Sequence, residues 1–505
     1  MQNETYAVIE ITKKYIKFAV GKYKKSIGLK VVFKEREKSK SNWLTDKNDI
    51  VDTNIVAHRL IKMINRYESI FKEKIRRASI VYPTATLQIK DANPSIFIDS
   101  SDKIVREEHI KNLYKDAKRV VYEDNLIVTN IKPYAFKLNG IQSFAKPPIN
   151  SKANMVAMSA KVYTAEKHVV DSFEGVLKIL KIERLSATSQ LFSLAKQCSE
   201  GLNFRETFAL INWDWESIDI GYFSRETLVK KDVIKFGLKD IIENLAKKMS
   251  AKFDIANKYI FKLLDFSSNT LDNTVMYRKY IASEKRSYQL KAIDIKYMLL
   301  EEINGVIDKA DLLISREMGS IKNFKIYHTG KSTEIAGFEK LLLRSTYKNI
   351  SEIYYSLITG ASEIWTNSLC GMMRQSHLTN KNLREVKTST ETYENPNMLA
   401  LAQMQHAQQV LGQKAFDQHL RAQQAQMQAQ QAQQAQLALT QQLRAQQLRT
   451  EQLRSQHGDF IPPLMNTQLV QQNNQIPQNF VGQQNYQNNE NYLKNGIINT
   501  QRNKY

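Results

Sequence analysis

The chain has 505 residues, 42% of them hydrophobic and 25% charged, which excludes a wholly disordered protein and leaves room for two to four ordinary cores. Its two cysteines, Cys198 and Cys370, are too few and too far apart for a disulfide framework or a cysteine metal cluster. The 73 Lys and Arg against 51 Asp and Glu give a net charge of +22, a balance suited to nucleic acid or an anionic surface. Lys, Asn and Ile are abundant together, however, so part of that basicity is compositional drift.

The first residues, "MQNETYAVIEITKK", enter a strand pattern without a basic and then apolar leader, and no apolar run reaches membrane-spanning length, so a cytoplasmic protein is expected. "YAVIEI", "YIKFAVGKY" and "IGLKVVFKER" read as a three-stranded antiparallel meander broken by Lys-rich turns. In "TNIVAHRLIKMINRYESIFKEKI", Val56, Leu60, Ile61, Ile64 and Tyr67 recur at helical spacing, and "RRASIVYP" returns to a short strand. From about Ala85 to Ala165 a strand, a helix "REEHIKNLYKDAKRV", a hairpin and a further strand make a small α+β module. A second meander starts at Phe208 with "ALINWDWESIDIGYF" and again gives way to helices. The body closes on "FKIYHTGKSTEIAGFEKLLLR" and an apolar segment "IYYSLITGASEIW", read as a helix. Beyond Leu378 the composition changes. Residues 379–397 read as a polar linker, 398–457 as a Gln/Ala-rich tract that is helical or disordered, and 458–505 as a disordered tail. Ala422, Ala425, Ala429 and Ala432 form a weak seam, whereas Leu443, Leu448 and Leu453 at five-residue spacing turn around the helix, so a stable long coiled coil is not expected.

Two meander-and-helix halves with an insertion in the first resemble the bacterial cell-division protein family FtsA, which has an actin-like fold. The words that carry the resemblance cover about Tyr6 to Arg374. "ITKKYIKFAVGK" is similar to the first phosphate loop of actin-like ATPases, with Glu10, Thr12, Lys13 and Lys17 in the motif positions. "NWDWESIDIGYF" is similar to the second loop, with Asn212, Asp214 and Asp219 where the family has polar residues around a glycine triplet. "YHTGKSTEIAGFEKLL" is similar to the adenosine motif, keeping Thr329, Gly330 and Gly337 and carrying Lys331 in place of a second glycine. "KIVREEHIKNLYKDAKRV", "NLIVTNIKPYAFKLNGI" and "KPPI" resemble the inserted subdomain that FtsA shares with the pilus protein PilM.

The resemblance implies an α/β, actin-like two-lobed fold of ribonuclease-H-like halves. The first lobe takes residues 1–84 and 166–205, and the inserted subdomain 85–165. The second lobe takes 206–378, with a smaller subdomain at 239–302 and a closing helix at 350–374 packing on the first lobe. It also implies ATP and Mg²⁺ as cofactors, with Glu10, Asp219 and Asp214 as metal candidates. The phosphate loops need glycines so that backbone N–H groups can approach the phosphates closely, and Trp213, Trp215 and Glu216 stand where those glycines belong. Weak or absent nucleotide binding is therefore expected, and Asp214 and Asp219 read equally as turn-capping carboxylates.

As a partner the resemblance implies the C-terminal peptide of the tubulin-like protein FtsZ. It would be steered to the smaller subdomain by Lys247, Lys248, Lys252, Arg278, Lys279, Arg286, Lys291 and Lys296. Self-association into filaments and peripheral contact with the membrane at the division site belong to the same expectation. A PilM-like scaffold and an active ATPase of the same fold are the alternatives. A specific nucleic-acid partner is not expected, because no basic and aromatic stacking motif is present.

Overall fold

A computed structural model describes residues 4–121, 125–199, 206–224, 226–281, 285–381 and 383–456. The expected disordered tail, 458–505, lies outside these residues. The chain divides into two compact units, Met1–His406 and Ala407–Tyr505.

Two five-stranded sheets of one plan organise the first unit. β1 (Glu4–Ile11), β2 (Tyr15–Lys24) and β3 (Gly28–Lys38) form an antiparallel meander. Helix α1 (Thr53–Phe71) then leads to β4 (Arg77–Tyr82), which pairs in parallel with β1. The insertion follows: β5 (Gln88–Ala92), β6 (Ser95–Phe97), α2 (Glu107–Lys118), β7 (Leu126–Leu138), β8 (Gln142–Phe144) and β9 (Met155–Glu166) make a separate sheet built on β9. Then α3 (Lys167–Leu180) and β10 (Glu183–Ser189) complete the first sheet in the order β10-β4-β1-β2-β3. After α4 (Gln190–Cys198) the plan repeats. β11 (Thr207–Trp213), β12 (Ile218–Ser224) and β13 (Thr227–Ile234) form a meander, and β11 pairs in parallel with β16 (Lys325–Thr329). β17 (Ser351–Ile353) extends this sheet to β13-β12-β11-β16-β17. The central strands β1 and β11 are buried along nearly their whole length, which is why they read as unbroken apolar runs rather than alternating ones.

Between β13 and β16 lie α5 (Leu238–Lys248), α6 (Phe253–Lys258), a π-helical turn at Tyr259–Leu263, the hairpin of β14 (Val275–Ile281) and β15 (Arg286–Lys291), and the long α7 (Ala292–Met318). The short α8 (Phe338–Leu341) precedes β17, and α9 (Asn367–Lys381) follows it. Local signals account for the helix boundaries. Asp52 caps α1 by accepting from the Ile55 N–H, and Lys72 ends it in the left-handed conformation.

Two segments differ from their sequence reading. "IYYSLITGASEIW" is not a helix: β17 ends at Ile353, an irregular stretch follows, and only Ile364–Thr366 make a short 3₁₀ turn. Tertiary contact decides this. Thr359 O accepts from Val31 N of β3 at 3.0 Å, and Gly360 takes φ +84° with its backbone pressed on the Val31 carbonyl. The stretch read as a linker carries the hairpin of β18 (Glu385–Lys387) and β19 (Thr392–Glu394). Ser389 N donates to Thr5 O at 2.8 Å, Ala7 N donates to Ser389 Oγ at 2.8 Å, and Arg76 N donates to Ser389 O at 2.8 Å, so polar groups dock the hairpin on the start of β1. From Pro396 to Gln456 a single helix, α10, continues the chain, and its described side chains from Leu399 onward are almost all exposed.

Candidate functional site

The hairpin turns of the two sheets, Thr12–Lys14 between β1 and β2 and Asp214–Ser217 between β11 and β12, face a cavity of about 320 Å³ between the lobes. Part of each turn's backbone is bonded within the turn. Thr12 N donates to Tyr15 O at 2.8 Å, and Thr12 Oγ1 accepts from Tyr15 N at 3.0 Å. In the second turn, Asp214 N donates to Asn212 O and Ser217 O, both at 3.1 Å, and Trp215 N donates to Asp214 Oδ1 at 2.7 Å. These are the kinds of donor that a phosphate cradle leaves open to its ligand.

Side chains tie the two turns together beside this cavity. Lys13 Nζ of the first turn lies 2.6 Å from a carboxylate oxygen of Glu216 in the second, and 3.0 Å from Asp46. Burial opposes its charge, but the two carboxylates outweigh that and hold Lys13 above the ordinary lysine range. Lys14 Nζ stands 5.6 Å over the Trp215 ring. Glu10 and Lys17 pair at 2.9 Å inside the first lobe, and Ser368 Oγ donates to the same Glu10 oxygen at 2.6 Å. Asp214 also accepts from Gln190 Nε2 at 3.2 Å. Asp219 is buried next to Ser217 Oγ at 3.1 Å. Burial, reinforced by the Asp214 charge and opposed by Lys231, pushes its pKa up to about 7. Thr329 Oγ1 accepts from Asn367 Nδ2 at 3.2 Å, and Gly330 takes φ +101° against the backbone of Trp213. Lys331 pairs with Glu334 and lies 4.6 Å from the centre of the Phe261 ring.

Trp213 departs from its sequence reading. Its side chain leaves the cleft and enters the core of the second lobe, where Nε1 donates to His328 Nδ1 at 3.0 Å and the ring packs edge-on against Phe338. Position explains this, because Trp213 is the last residue of β11 whereas Trp215 belongs to the turn. Several cavity residues carry no sequence signal. Arg36 is stacked between Tyr15 and Trp365, 5.2 Å and 5.1 Å from the ring centres, while Phe253, Asn257 and Phe261 come from α6 and the π-helical turn. Tertiary packing alone brings them to the cleft.

These residues do not fit a magnesium-bound triphosphate. Glu10 Oε2 is taken by Lys17 and Ser368, both Asp214 oxygens accept from protein donors, and Asp219 has its pKa pushed up to about 7. Among the described residues no group of three or more His, Cys, Asp or Glu could hold a metal ion. Among the residues that line the cavity, Asn212 Nδ2 is a buried polar atom without a protein hydrogen-bond partner.

The basic residues of the smaller subdomain do not form one patch. Lys296 is buried, paired with Asp272 at 2.6 Å and donating to Ser268 O at 2.7 Å. Lys248 bridges Glu301 and Glu302, each at 2.7 Å, and Lys279 Nζ donates to Ser250 O at 2.7 Å. Lys247, Lys252, Arg278, Arg286 and Lys291 are exposed and make no ion pair among the described residues. No helix among the described residues is long and apolar enough to cross a membrane.

No protein-family model matches the sequence, and no curated protein sequence matches it significantly. Solved structures do match. A structure described as the PilM-PilN type IV pilus biogenesis complex is 9% identical over 73% of this chain and 98% of that chain, with a TM-score of 0.50. The ethanolamine utilization protein EutJ from Carboxydothermus hydrogenoformans is 10% identical over 74% and 90%, with a TM-score of 0.43. MreB5 of Spiroplasma citri bound to ADP is 13% identical over 75% and 98%, with a TM-score of 0.41. With the duplicated sheet plan, the first of these likenesses shows an actin-like, two-lobed α/β fold.

Proposed function

We propose that the chain is an actin-fold adaptor that works without a nucleotide, of the FtsA kind, gathering FtsZ peptides at the division site. The observation that carries this is the ion pair of Lys13 with Glu216, which joins the two turns across the place where phosphates would lie. A body whose two turns are tied to each other by their own charges has no hydrolysis step to contribute. What it offers is a rigid surface. The peptide would be steered by the exposed cations Lys247, Lys252, Arg278, Arg286 and Lys291, and rim charges of this kind raise association rate more than affinity.

A second reading is favoured by the PilM-PilN likeness, namely a pilus-type scaffold that uses the same body for a different partner. Two measurements test the proposal. Isothermal titration with Mg·ATP should give no tight binding, and a sub-micromolar dissociation constant would overturn the nucleotide-free reading. A pull-down should retain an FtsZ C-terminal peptide and not PilN, and the reverse result would select the pilus reading.

A further inference from the structure

We propose that two copies of the chain join through α10, packed antiparallel about a two-fold axis beside Met427. The inference stands apart from the cleft and from the adaptor reading. α10 is 61 residues long, and its apolar residues are distributed so that it has no single wide apolar face. A helix of that length, solvated on all sides and rich in Gln and Ala, has little to hold it beyond propensity. It needs a covering partner.

The sequence of α10 points to another copy of itself. Positions alternately three and four apart from Gln408 to Gln446 form one stripe, and the stripe is nearly a palindrome. Counted inwards, Gln408 corresponds to Gln446, Leu411 to Leu443, and Gln418 to Gln436. At the centre Ala422 corresponds to Ala432, and Ala425 to Ala429. The one unlike pairing sets Ala415 against Leu439. A parallel pair brings identical positions together, whereas an antiparallel pair brings these corresponding positions together. Each pairing then occurs twice: leucine meets leucine, alanine meets alanine at close approach, and four glutamine layers hydrogen-bond across the pair and fix the register.

Charge supports the same direction. Antiparallel packing puts Lys414 and Arg421 of one copy level with residues 440 and 433 of the other, within the uncharged stretch "QQAQLALT" at 433–440. Parallel packing would put both copies' Lys414 and Arg421 at the same levels. The helix dipoles also oppose one another favourably in the antiparallel pair. The seam runs for about 58 Å at 1.5 Å per residue. Burial on the order of 100 Å² in each of about twelve layers comes to roughly 1,200 Å², the lower edge of specific interfaces. Leu411, Leu439 and Leu443 on the stripe are 66%, 61% and 55% exposed in the single chain. Phe416, Leu420 and Met427 fall off the stripe.

Disulfide trapping in the full chain tests this, since the native Cys198 and Cys370 are buried. On mild oxidation, Leu411→Cys mixed with Leu443→Cys should give a cross-linked species containing one of each, and Leu411→Cys alone should not cross-link. Efficient cross-linking of Leu411→Cys alone would mean a parallel pair, and no cross-linking in any mixture would mean no pair; either overturns the proposal. Sedimentation of unmodified cysteine positions gives an independent readout. Ala425→Glu should weaken dimerisation tenfold or more while Met427→Gln leaves it unchanged, and equal effects would show that the stripe is not the interface.

Discussion

Asp219 lies in β12 of the second sheet, buried beside Asp214, with its carboxyl pushed up to about 7. Between the ordinary aspartate value of about 4 and about 7, the folded chain holds a proton here that the unfolded chain has lost. This group's contribution to stability therefore falls as pH rises through that window and stays low above it. Asp219→Asn should flatten the dependence and stabilise the protein at pH 8 by on the order of 3 kcal/mol, read from urea midpoints at pH 5 and pH 8. An unchanged pH dependence would mean that Asp219 is ionised throughout. Trp213 makes a complementary case. Trp213→Phe removes the donor to His328, whose buried imidazole is held neutral with a pKa near 3, and should cost about 1–3 kcal/mol without altering the cleft. The tryptophans were visible in the sequence as bulky residues at a former glycine turn, but not that Trp213 is buried in the core while Trp215 packs against that core and lines the cavity, because the point where β11 ends decides it.

At the scale of elements, α4 and α9 cross so closely that the Gly371 backbone lies against Ser193. A Cβ at Gly371 would fall 1.8 Å from the Ser193 carbonyl oxygen, which cannot move aside as a flexible side chain would. Gly371→Ala should therefore destabilise by about 3 kcal/mol or more, as overpacking against backbone does. Thermal denaturation checks it, and a loss within measurement error would place the helices farther apart. The helix containing this glycine was displaced in the sequence reading. "IYYSLITGASEIW" is apolar enough to suggest a helix, yet Gly360 and the hydrogen bond from Val31 hold that segment extended against β3. Apolar content alone cannot separate a buried helix from an irregular segment lying across a core.

For the whole molecule, the boundary of the folded body falls later than composition suggests. The polar stretch 385–394 binds β1 through Ser389 and β4 through Arg77, whose Nη1 donates to Thr388 O at 3.1 Å and Glu391 O at 3.3 Å. Deleting the chain from Leu399 onward should leave the melting temperature nearly unchanged while removing the pairing proposed for α10. Deleting from Arg384 onward should lower the melting temperature by several degrees, since buried backbone groups of β1 lose their partners. Equal melting temperatures for the two truncations would show that the hairpin contributes nothing to the body.

By itself the sequence determined the element types over most of the body, the duplication of a meander in two halves, the small α+β module inserted in the first and the change of character beyond Leu378. These are written in local periodicity and turn chemistry, which act over a few residues. It also showed that the phosphate turns had lost their glycines. Only the tertiary structure decided what replaced them, because Lys13 and Glu216 stand some two hundred positions apart and nothing local in either turn announces the ion pair. The same holds for Arg36 between Tyr15 and Trp365, for Lys296 spent inside the smaller subdomain, and for the polar hairpin docked on β1. Each is a pairing between distant segments, and such pairings are fixed by how the sheets and helices pack rather than by the residues that surround each partner in the chain.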